Sequence, residues 1–545
     1  MRLSSVRFND GGSGSFVSPD GLVLTNHHIA RDQLQKNSTP EHDYLQTGFY
    51  AAAQDQEMKS PDLEVNILVS MENVTDRVNA ATVKTKTADE EFKTRRATIA
   101  AIERESQQKT GLRSDVVTLY QGGEYWLYRY KKYTDVRLVF APEQQAAFFG
   151  GDPDNFTYPR YDLDMALFRV YENGKPIHSQ NYLKWNPKGA ADGDLVFVSG
   201  NPGSTSRRET VSQLTYERNI DEPLTLKILK ARIAALQDFA ARGSQQNLEA
   251  GSRIFGLQNS LKAYEGRYQG LLDPAIFGKK QKEENEFKSR VTANPQWKAA
   301  YGNAWGLIAE AGKKAASRTN EEYFHGLDSS LANLATTIVQ YAQEVKKPDG
   351  ERLPGYHESQ LESLRFQLFS PAPIYKDMEI ARMIGALQLD LSVVGPNDPF
   401  VKAVLNGKTP NEVVPGLVNG SMLADAAARK KLIDGGEAAV EASTDPMIVL
   451  ARKLDPMRRE LIRWNELNVA SVEQKAGEQL GKARFAVYGK SIYPDATFTL
   501  RLSYGQVKGY PMNGTKAPYK TTMYGLYDRA NSFDFQGPFD LPARF

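Results

Sequence analysis

The sequence predicts an α+β protein in which a large helical domain is inserted into a β-rich one. Three observations lead to this fold class. Short strand patterns fill residues 1–213, helix-forming residues dominate residues 214–480, and strand patterns return over residues 481–545. Because domain insertion leaves one domain built from two separated stretches of chain, we expect the β-rich domain to use both ends of the sequence.

The first region contains short runs of β-branched and aromatic residues bounded by Gly, Pro, Asn or Asp, a pattern typical of strands. Asn173-Gly174 directly follows one of these runs and predicts a tight hairpin turn. One stretch, residues 88–105, is instead rich in Glu, Lys, Arg and Ala and predicts a helix. The predicted strands span residues 21–25, 63–69, 134–140, 165–171 and 195–199.

The middle region is dominated by helix formers, and Asp445 before Pro446 is typical of a helix start. Its predicted helices span residues 224–241, 279–291, 303–315, 329–345, 358–369, 375–390, 423–433 and 446–470. In the last region we predict strands over residues 485–488, 497–504 and 507–510, followed by a loop over residues 534–545.

Composition narrows the class of function. Lys and Arg total 68 against 66 Asp and Glu, and this balance gives no bulk field to attract nucleic acid or an anionic membrane. The chain has no cysteine, which excludes disulfides, thiol nucleophiles and thiolate metal sites. No apolar stretch is long enough to span a membrane, and no signal peptide is recognisable at the start. We therefore expect a cytoplasmic protein or a chain lacking its first residues.

The most informative stretch is the run from Ser13 to Ala30, SGSFVSPDGLVLTNHHIA. It predicts a hairpin whose second strand ends on a histidine, and a rigidly held imidazole is suited to general-base chemistry near neutral pH. His28 ends this strand as the histidine does in the Ala-Ala-His-Cys stretch that it resembles in chymotrypsin-like enzymes, with Ile29 in place of the cysteine. Strand alternation then predicts that His27 faces away.

A second stretch, residues 148–170, carries four aspartates into an apolar strand. Asp164 lies where that strand begins, and a carboxylate there is suited to orienting an imidazole and stabilising its charged form. An isolated Asp at a strand start is more often a turn residue, but a histidine at the end of another strand favours the functional interpretation. By alternation Asp162 is expected to face the other way.

A nucleophile is harder to find. Ser13 lies in a glycine-rich stretch but lacks the Asp or Asn and the Pro of a serine-protease loop, and no base is predicted beside Ser204. Signatures of zinc peptidases, phosphate loops, calcium loops and Gly-x-Ser-x-Gly hydrolases are missing or incomplete, so no metal and no cofactor are expected. The sequence thus predicts a base and its orienting carboxylate without a convincing serine.

With these two stretches, the chain resembles the bacterial serine dipeptidyl-peptidases of peptidase family forty-six. The phrases FVSPDGLVLTNHH and FGGDPDNFTYPRYDLD carry the resemblance. It implies a chymotrypsin-like double β-barrel as the catalytic domain, with the second barrel incomplete here and residues 214–480 as a helical cap. It also implies release of dipeptides from free N-termini of peptides, a periplasmic or cell-surface location and a homodimer.

The resemblance also assigns roles to single residues. His28 is implied as the general base and Asp164 as its orienting carboxylate. Asn155 and Phe156 fall where the family holds the N-terminal residue of the substrate, and Asn259 matches a family Asn that hydrogen-bonds the substrate's α-amino group. These matches imply peptide substrates with a free N-terminus as the partner, with no nucleic acid and no membrane insertion.

The chain also departs from the family pattern. The Gly-Asn-Ser-Gly-Ser-Pro-type loop that carries the family's nucleophile is not found, nor is a secretion signal. We therefore expect a sequence truncated at both ends and inactive by itself. Two alternatives stay open: a non-catalytic peptide-binding relative that lost the serine, and a cytoplasmic endoprotease.

Overall fold

A computed structural model describes residues 1–9 and 11–545 of the chain. The chain divides into two compact units. Unit 1 consists of residues 1–70, 129–205 and 496–545, and unit 2 of residues 71–128 and 206–495.

The strands of the described residues, in chain order, are β1 (Ser5–Phe8), β2 (Ser13–Phe16), β3 (Leu22–Thr25), β4 (Phe49–Tyr50), β5 (Met58–Lys59), β6 (Val65–Asn73), β7 (Arg113–Leu119), β8 (Glu124–Tyr133), β9 (Asp135–Ala141), β10 (Ala166–Glu172), β11 (Lys175–Pro176), β12 (Leu195–Gly200), β13 (Arg501–Gln506), β14 (Pro511–Met512) and β15 (Thr515–Lys516).

The α-helices are α1 (His27–Asn37), α2 (Tyr44–Thr47), α3 (Thr75–Thr82), α4 (Ala88–Thr110), α5 (Gln144–Ala147), α6 (Gly151–Asp154), α7 (Val211–Tyr216), α8 (Glu222–Ala240), α9 (Ser244–Leu272), α10 (Pro274–Ala293), α11 (Pro295–Tyr301), α12 (Ala304–Ser317), α13 (Thr319–Phe324), α14 (Ser330–Glu344), α15 (Leu361–Leu368), α16 (Lys376–Val394), α17 (Pro399–Leu405), α18 (Pro410–Gly420), α19 (Ala426–Ala442), α20 (Pro446–Asn465), α21 (Ser471–Tyr488) and α22 (Met523–Asn531).

The core of unit 1 is an antiparallel sheet with the strand order β4-β9-β10-β3-β2-β1-β6. Alternating side chains of these strands point inward and bury a continuous apolar cluster, as expected for a sheet with one face on the core. Phe8 and Phe168 meet at the centre of this cluster with their ring centroids 5.8 Å apart. The predicted turn at Asn173-Gly174 joins β10 to β11, and both residues have the positive φ that a tight hairpin turn needs.

Two further pieces complete unit 1. Strands β12 and β13 form a separate two-stranded antiparallel sheet. Helix α22 buries Leu526 and Ala530 against Phe149 and Phe539, which brings the last residues of the chain next to the aspartate-rich stretch. That helix lies in a region without a predicted element.

Unit 2 is almost entirely helical. Its largest apolar cluster is built by α14, α16 and α20 together with the shorter helices between them. Helices α8 and α9 pack against each other as a pair, and α21 buries its Ala476, Leu480 and Ala483 face against α10 and α12. None of the helices in residues 1–9 and 11–545 is long and apolar enough to cross a membrane.

The mixed α and β composition with a large helical region is confirmed, whereas the double barrel stays a prediction. The predicted strands near residues 21, 63, 134, 165 and 195 are present as β3, β6, β9, β10 and β12. The division into units differs from the predicted boundaries, because residues 71–128 belong to unit 2 rather than to the first β-rich region.

Several elements differ from prediction. The strand predicted over residues 485–488 is wrong, because these residues form the last turn of α21, where Val487 continues the spacing of Leu480 and Ala483. The strand predicted over residues 507–510 is also absent, since β13 ends at Gln506. The 29-residue helix α9 was not predicted, because its glycines and its polar surface mask the apolar periodicity.

Candidate functional site

The pairing of β3 with β10 determines where the predicted histidine and aspartate lie. The two strands run antiparallel, with Thr25 opposite Ala166 and Val23 opposite Phe168. His28 follows the end of β3 by three residues, and Asp164 precedes the start of β10 by two. Because the end of one antiparallel strand lies beside the start of its partner, this register brings the two side chains together.

His28 and Asp164 form a hydrogen-bonded dyad. His28 Nδ1 lies 2.7 Å from Asp164 Oδ2, and the backbone N–H of His28 donates to Asp164 Oδ1 at 3.0 Å. The imidazole is about half exposed (48%), and within residues 1–9 and 11–545 its Nε2 makes no hydrogen bond. An imidazole fixed at Nδ1 by a carboxylate, with an accessible Nε2, has the geometry to accept a proton from a substrate or nucleophile.

The electrostatics of Asp164 favour a carboxylate. Partial burial acts to raise its pKa, but the hydrogen bonds from His28 and its neighbouring charge outweigh burial, so the pKa of Asp164 lies below its usual value. Asp162, two residues earlier, pairs instead with Arg160 at 2.8 Å, and burial raises the pKa of Asp162 despite that partner. Only Asp164 therefore bonds His28.

The carrier of His28 differs from the prediction of a strand end. Strand β3 stops at Thr25, and both histidines lie in the first turn of α1. The two histidines therefore point in different directions because successive residues of a helix are rotated by roughly 100°, and not because of strand alternation. His27 is buried, with only 2% of its surface exposed, and burial lowers its pKa to about 4.

Asn26 is part of the site but was not predicted from the sequence. Its Nδ2 donates to the backbone oxygen of Asp164 at 3.0 Å and lies 3.2 Å from Asp164 Oδ2. An Asn directly before a helix start is a common helix-flanking residue, and that signal was present in the TNHH run. Asn26 thus holds the main chain and the carboxylate of Asp164 together.

The residues predicted to hold the substrate's N-terminus lie in different places. Asn155 and Phe156 belong to the loop that follows α6 in unit 1; Asn155 is buried, whereas Phe156 is 64% exposed. Asn259 lies on α9 in unit 2. The structure thus puts Asn155 and Phe156 on the stretch that leads to Asp164, and Asn259 on a separate unit.

Neither serine considered in the sequence bonds the imidazole. Ser13 lies in β2, where its Oγ accepts a hydrogen bond from the backbone N–H of Asn201 at 2.7 Å. Ser204 forms a single bridge with Thr497. In the described part of the chain, no three His, Asp or Glu side chains converge in a way that would hold a metal ion.

A cavity of about 670 Å³ opens beside the dyad within unit 1. Its lining includes Asn26, Asp164, Asn201 and Arg501. A cavity of this size with a few polar groups suits a small polar ligand.

Comparison with known proteins decides the family. Residues 1–545 match the family model of Peptidase S46. The chain belongs to this peptidase family. The resemblance predicted from the two motifs is thereby confirmed.

Curated members of Peptidase S46 are similar to this chain over most of its length. An Asp/Glu-specific dipeptidyl-peptidase from Shewanella putrefaciens is 30% identical over 529 residues, which cover 91% of this chain and 70% of that protein. An Asp/Glu-specific dipeptidyl-peptidase from Flavobacterium psychrophilum is 29% identical, and the match covers 98% of this chain and 77% of that protein. Dipeptidyl-peptidase 7 from Capnocytophaga gingivalis is 27% identical, and the match covers 100% of this chain and 78% of that protein.

Solved structures of the same family share the fold. Porphyromonas endodontalis DPP11 in complex with the dipeptide Arg-Glu matches with a TM-score of 0.75 at 21% identity, over 99% of this chain and 80% of that one. Its complex with Arg-Asp matches with a TM-score of 0.76 at the same identity and coverage.

Proposed function

We propose that this chain is a serine-type dipeptidyl-peptidase that releases dipeptides from the free N-termini of peptides. The observation that carries the proposal is the His28–Asp164 dyad, whose Nδ1–Oδ2 distance is 2.7 Å and whose Nε2 is left unbonded among the described residues. Membership of Peptidase S46 and the names of the curated relatives support the reaction class.

In the proposed mechanism, His28 Nε2 removes the proton from a serine hydroxyl as that oxygen attacks the scissile carbonyl. Asp164 accepts the hydrogen bond of Nδ1–H, which fixes the tautomer and stabilises the imidazolium that forms. The same imidazolium then returns its proton to the departing amine. Because the Oγ of Ser13 is bonded to the backbone N–H of Asn201 and Ser204 is in a bridge with Thr497, we propose that the nucleophilic serine is not among residues 1–545.

We further propose that Asn155 and Phe156 receive the N-terminal residue of the peptide and that Asn259 hydrogen-bonds its α-ammonium group. Amide oxygens that accept from an ammonium would lose a charge-assisted hydrogen bond beside an acetylated N-terminus. A site of this kind therefore rejects blocked peptides and measures cleavage from the free end.

Isothermal titration calorimetry tests the peptide site. We expect the free dipeptide Arg-Glu to bind at least about tenfold more tightly than its N-acetyl form, since a hydrogen bond to a charged group contributes ~1.5 kcal/mol or more. His28→Ala is the matched control, because it removes the proposed base and leaves Asn155 and Phe156 in place. Equal affinity for the two dipeptides would contradict the proposed site.

Turnover tests the proposed source of the serine. With an unblocked dipeptidyl chromogenic substrate, we expect no hydrolysis above background from the 545-residue chain. Hydrolysis that His28→Ala abolishes would show that the nucleophile lies among these residues after all.

A non-catalytic peptide-binding protein is the second candidate, because no serine hydroxyl among residues 1–9 and 11–545 is hydrogen-bonded to Nε2 of His28. For a non-catalytic peptide-binding protein, we expect the same preference for the free dipeptide but no turnover by the gene product purified from its native cell. The peptidase predicts turnover by that product, and the His28→Ala substitution in the gene abolishes it.

A further inference from the structure

The loop that presents Asn155 and Phe156 has an unfavourable backbone. Phe156 adopts a φ of 62°, in the left-handed region that a bulky side chain seldom occupies. Residues 150–157, which include α6, are called the loop from here on. Gly150, at its start, has a φ of 81°, and a Cβ there would lie 2.6 Å from Asp154 Oδ2. Such conformations persist only where the surroundings hold them in place.

Helix α22 holds the loop from one side through Arg529. Its Nε donates to Asp154 Oδ2 at 3.1 Å and its Nη2 to Oδ1 at 2.6 Å, which makes a two-pronged pair with a buried carboxylate. The guanidinium lies 4.7 Å from the Phe533 ring and 5.1 Å from the Phe539 ring, which restrict it further. The N–H of Gly150 also donates to the backbone oxygen of Pro538 at 2.8 Å.

Arg160 holds the next residue of the loop. Its Nη1 donates to Asn155 Oδ1 at 3.1 Å, while its Nε lies 2.8 Å from Asp162 Oδ2 and its guanidinium 5.1 Å from the Phe148 ring. The hydrogen bond from Arg160 fixes the orientation of the Asn155 amide. Each arginine is neutralised by an aspartate, so the pair adds no net charge to the loop.

We propose that Arg529 and Arg160 are positioning residues that hold the loop in its substrate-binding conformation. Arg529 fixes Asp154 and Arg160 fixes Asn155, so two adjacent residues are anchored directly before the unfavourable φ of Phe156. This arginine clamp rests on the proposed function, because it assumes that Asn155 and Phe156 receive the N-terminal residue of the peptide.

The test compares Arg529→Met with Arg137→Met. Arg137 makes a two-pronged pair with Asp135 in unit 1, at 3.0 Å through both nitrogens. Asp135 is more exposed than Asp154, so Arg137→Met controls for the loss of a two-pronged arginine–carboxylate pair away from residues 150–157. Calorimetry with Arg-Glu and N-acetyl-Arg-Glu gives the preference for the free N-terminus. Hydrogen–deuterium exchange over residues 150–157 reports on the order of the loop without any ligand.

We expect Arg529→Met to reduce the preference for the free dipeptide by about tenfold and to speed amide exchange in residues 150–157. Arg529→Lys keeps the charge but loses the planar fork, so its loss should be intermediate. Arg137→Met should change neither readout. If Arg529→Met fails to fold, Arg160→Met replaces it and is expected to reduce the same preference.

Two outcomes would overturn the arginine clamp. One is an Arg529→Met protein that keeps the full preference for the free dipeptide and the wild-type exchange of residues 150–157. The other is an equal loss of affinity for both dipeptides, which indicates general destabilisation. Failure of the proposed function looks different, because the wild-type protein itself would then bind the two dipeptides equally.

Discussion

His27 and His28 are adjacent in the sequence but lie in opposite environments. The first turn of α1 directs His27 into the protein, where its buried Nε2 has no hydrogen-bond partner among residues 1–9 and 11–545, and leaves His28 half exposed beside Asp164. Burial disfavours the charged form of an imidazole and lowers the pKa of His27. A step of one residue along the helix therefore places one imidazole in the protein interior and the other at the surface beside a carboxylate.

Replacing His27 should change the pH dependence of stability. Its pKa is lowered from 6.5 to about 4 in the folded protein, so the unfolded chain takes up a proton first as the pH falls. Stability is therefore lost between about pH 6.5 and 4, with roughly 2 kcal/mol lost between pH 7 and 5. In His27→Gln this loss should disappear from the pH dependence of urea unfolding.

His178→Gln, which removes an exposed imidazole instead of a buried one, is the matched control for that measurement. An unchanged slope in His27→Gln would instead show that His27 takes up its proton in the folded protein as readily as in the unfolded one.

At the scale of elements, the pairing of β3 with β10 is the feature on which the dyad depends. Phe168 on β10 lies opposite Val23 on β3, and both are fully buried in the core of unit 1. A shift of the pairing by one residue would send these side chains to the other face of the sheet. The apolar packing therefore maintains the register that puts His28 next to Asp164.

Phe168→Ala should destabilise the protein by about 3–5 kcal/mol, because it leaves a cavity where a buried aromatic ring stood. Thermal unfolding followed by circular dichroism measures this loss. Tyr50→Ala removes an aromatic ring of the same sheet that is 72% exposed, and it should change stability by less than about 0.5 kcal/mol. Similar losses in the two variants would mean that Phe168 does not anchor the core.

The local parts of the site were predictable from the sequence, and the long-range parts were not. The strand patterns around Val23 and Phe168 are strong, and they led to a histidine and an aspartate that the structure places 2.7 Å apart. His28 was predicted at a strand end rather than in a helix, because LVLTNHH carries no glycine or proline to mark where the strand stops and the helix starts. Arg529 was invisible because its partner lies 375 positions away in the chain.

At the scale of the whole molecule, unit 2 is assembled from two separated stretches of sequence. Residues 71–128 contribute an apolar cluster around Val78, Ile102 and Tyr125. They also contribute the buried Arg95, which pairs with Glu91 at 2.7 Å and with Glu478 of α21. The sequence patterns assigned residues 71–128 to the β-rich region, because the pairing of Arg95 with α21 joins residues far apart in the sequence and leaves no local pattern.

A fragment of residues 206–495 should therefore be much less stable than the same fragment joined to residues 71–128. Without residues 71–128, Glu478 loses its ion pair with Arg95. Phe485 of α21 also loses its packing against the Tyr120 ring, whose centroid lies 4.9 Å away. Urea unfolding of the two fragments, with a Gly/Ser linker between Tyr128 and Ser206 in the longer one, measures the difference. Equal midpoints would show that residues 206–495 need no contribution from residues 71–128.

The double contact of Asp164 with His28 has a mechanical consequence. Helix α1 has no side-chain cap from Asn26, and one of its first backbone N–H groups is satisfied by Asp164 Oδ1. The carboxylate thus caps the helix with one oxygen and orients the imidazole with the other. Fraying of the first turn of α1 would therefore also displace the proposed base. A substitution that loosens this helix end should lower activity without changing His28 or Asp164.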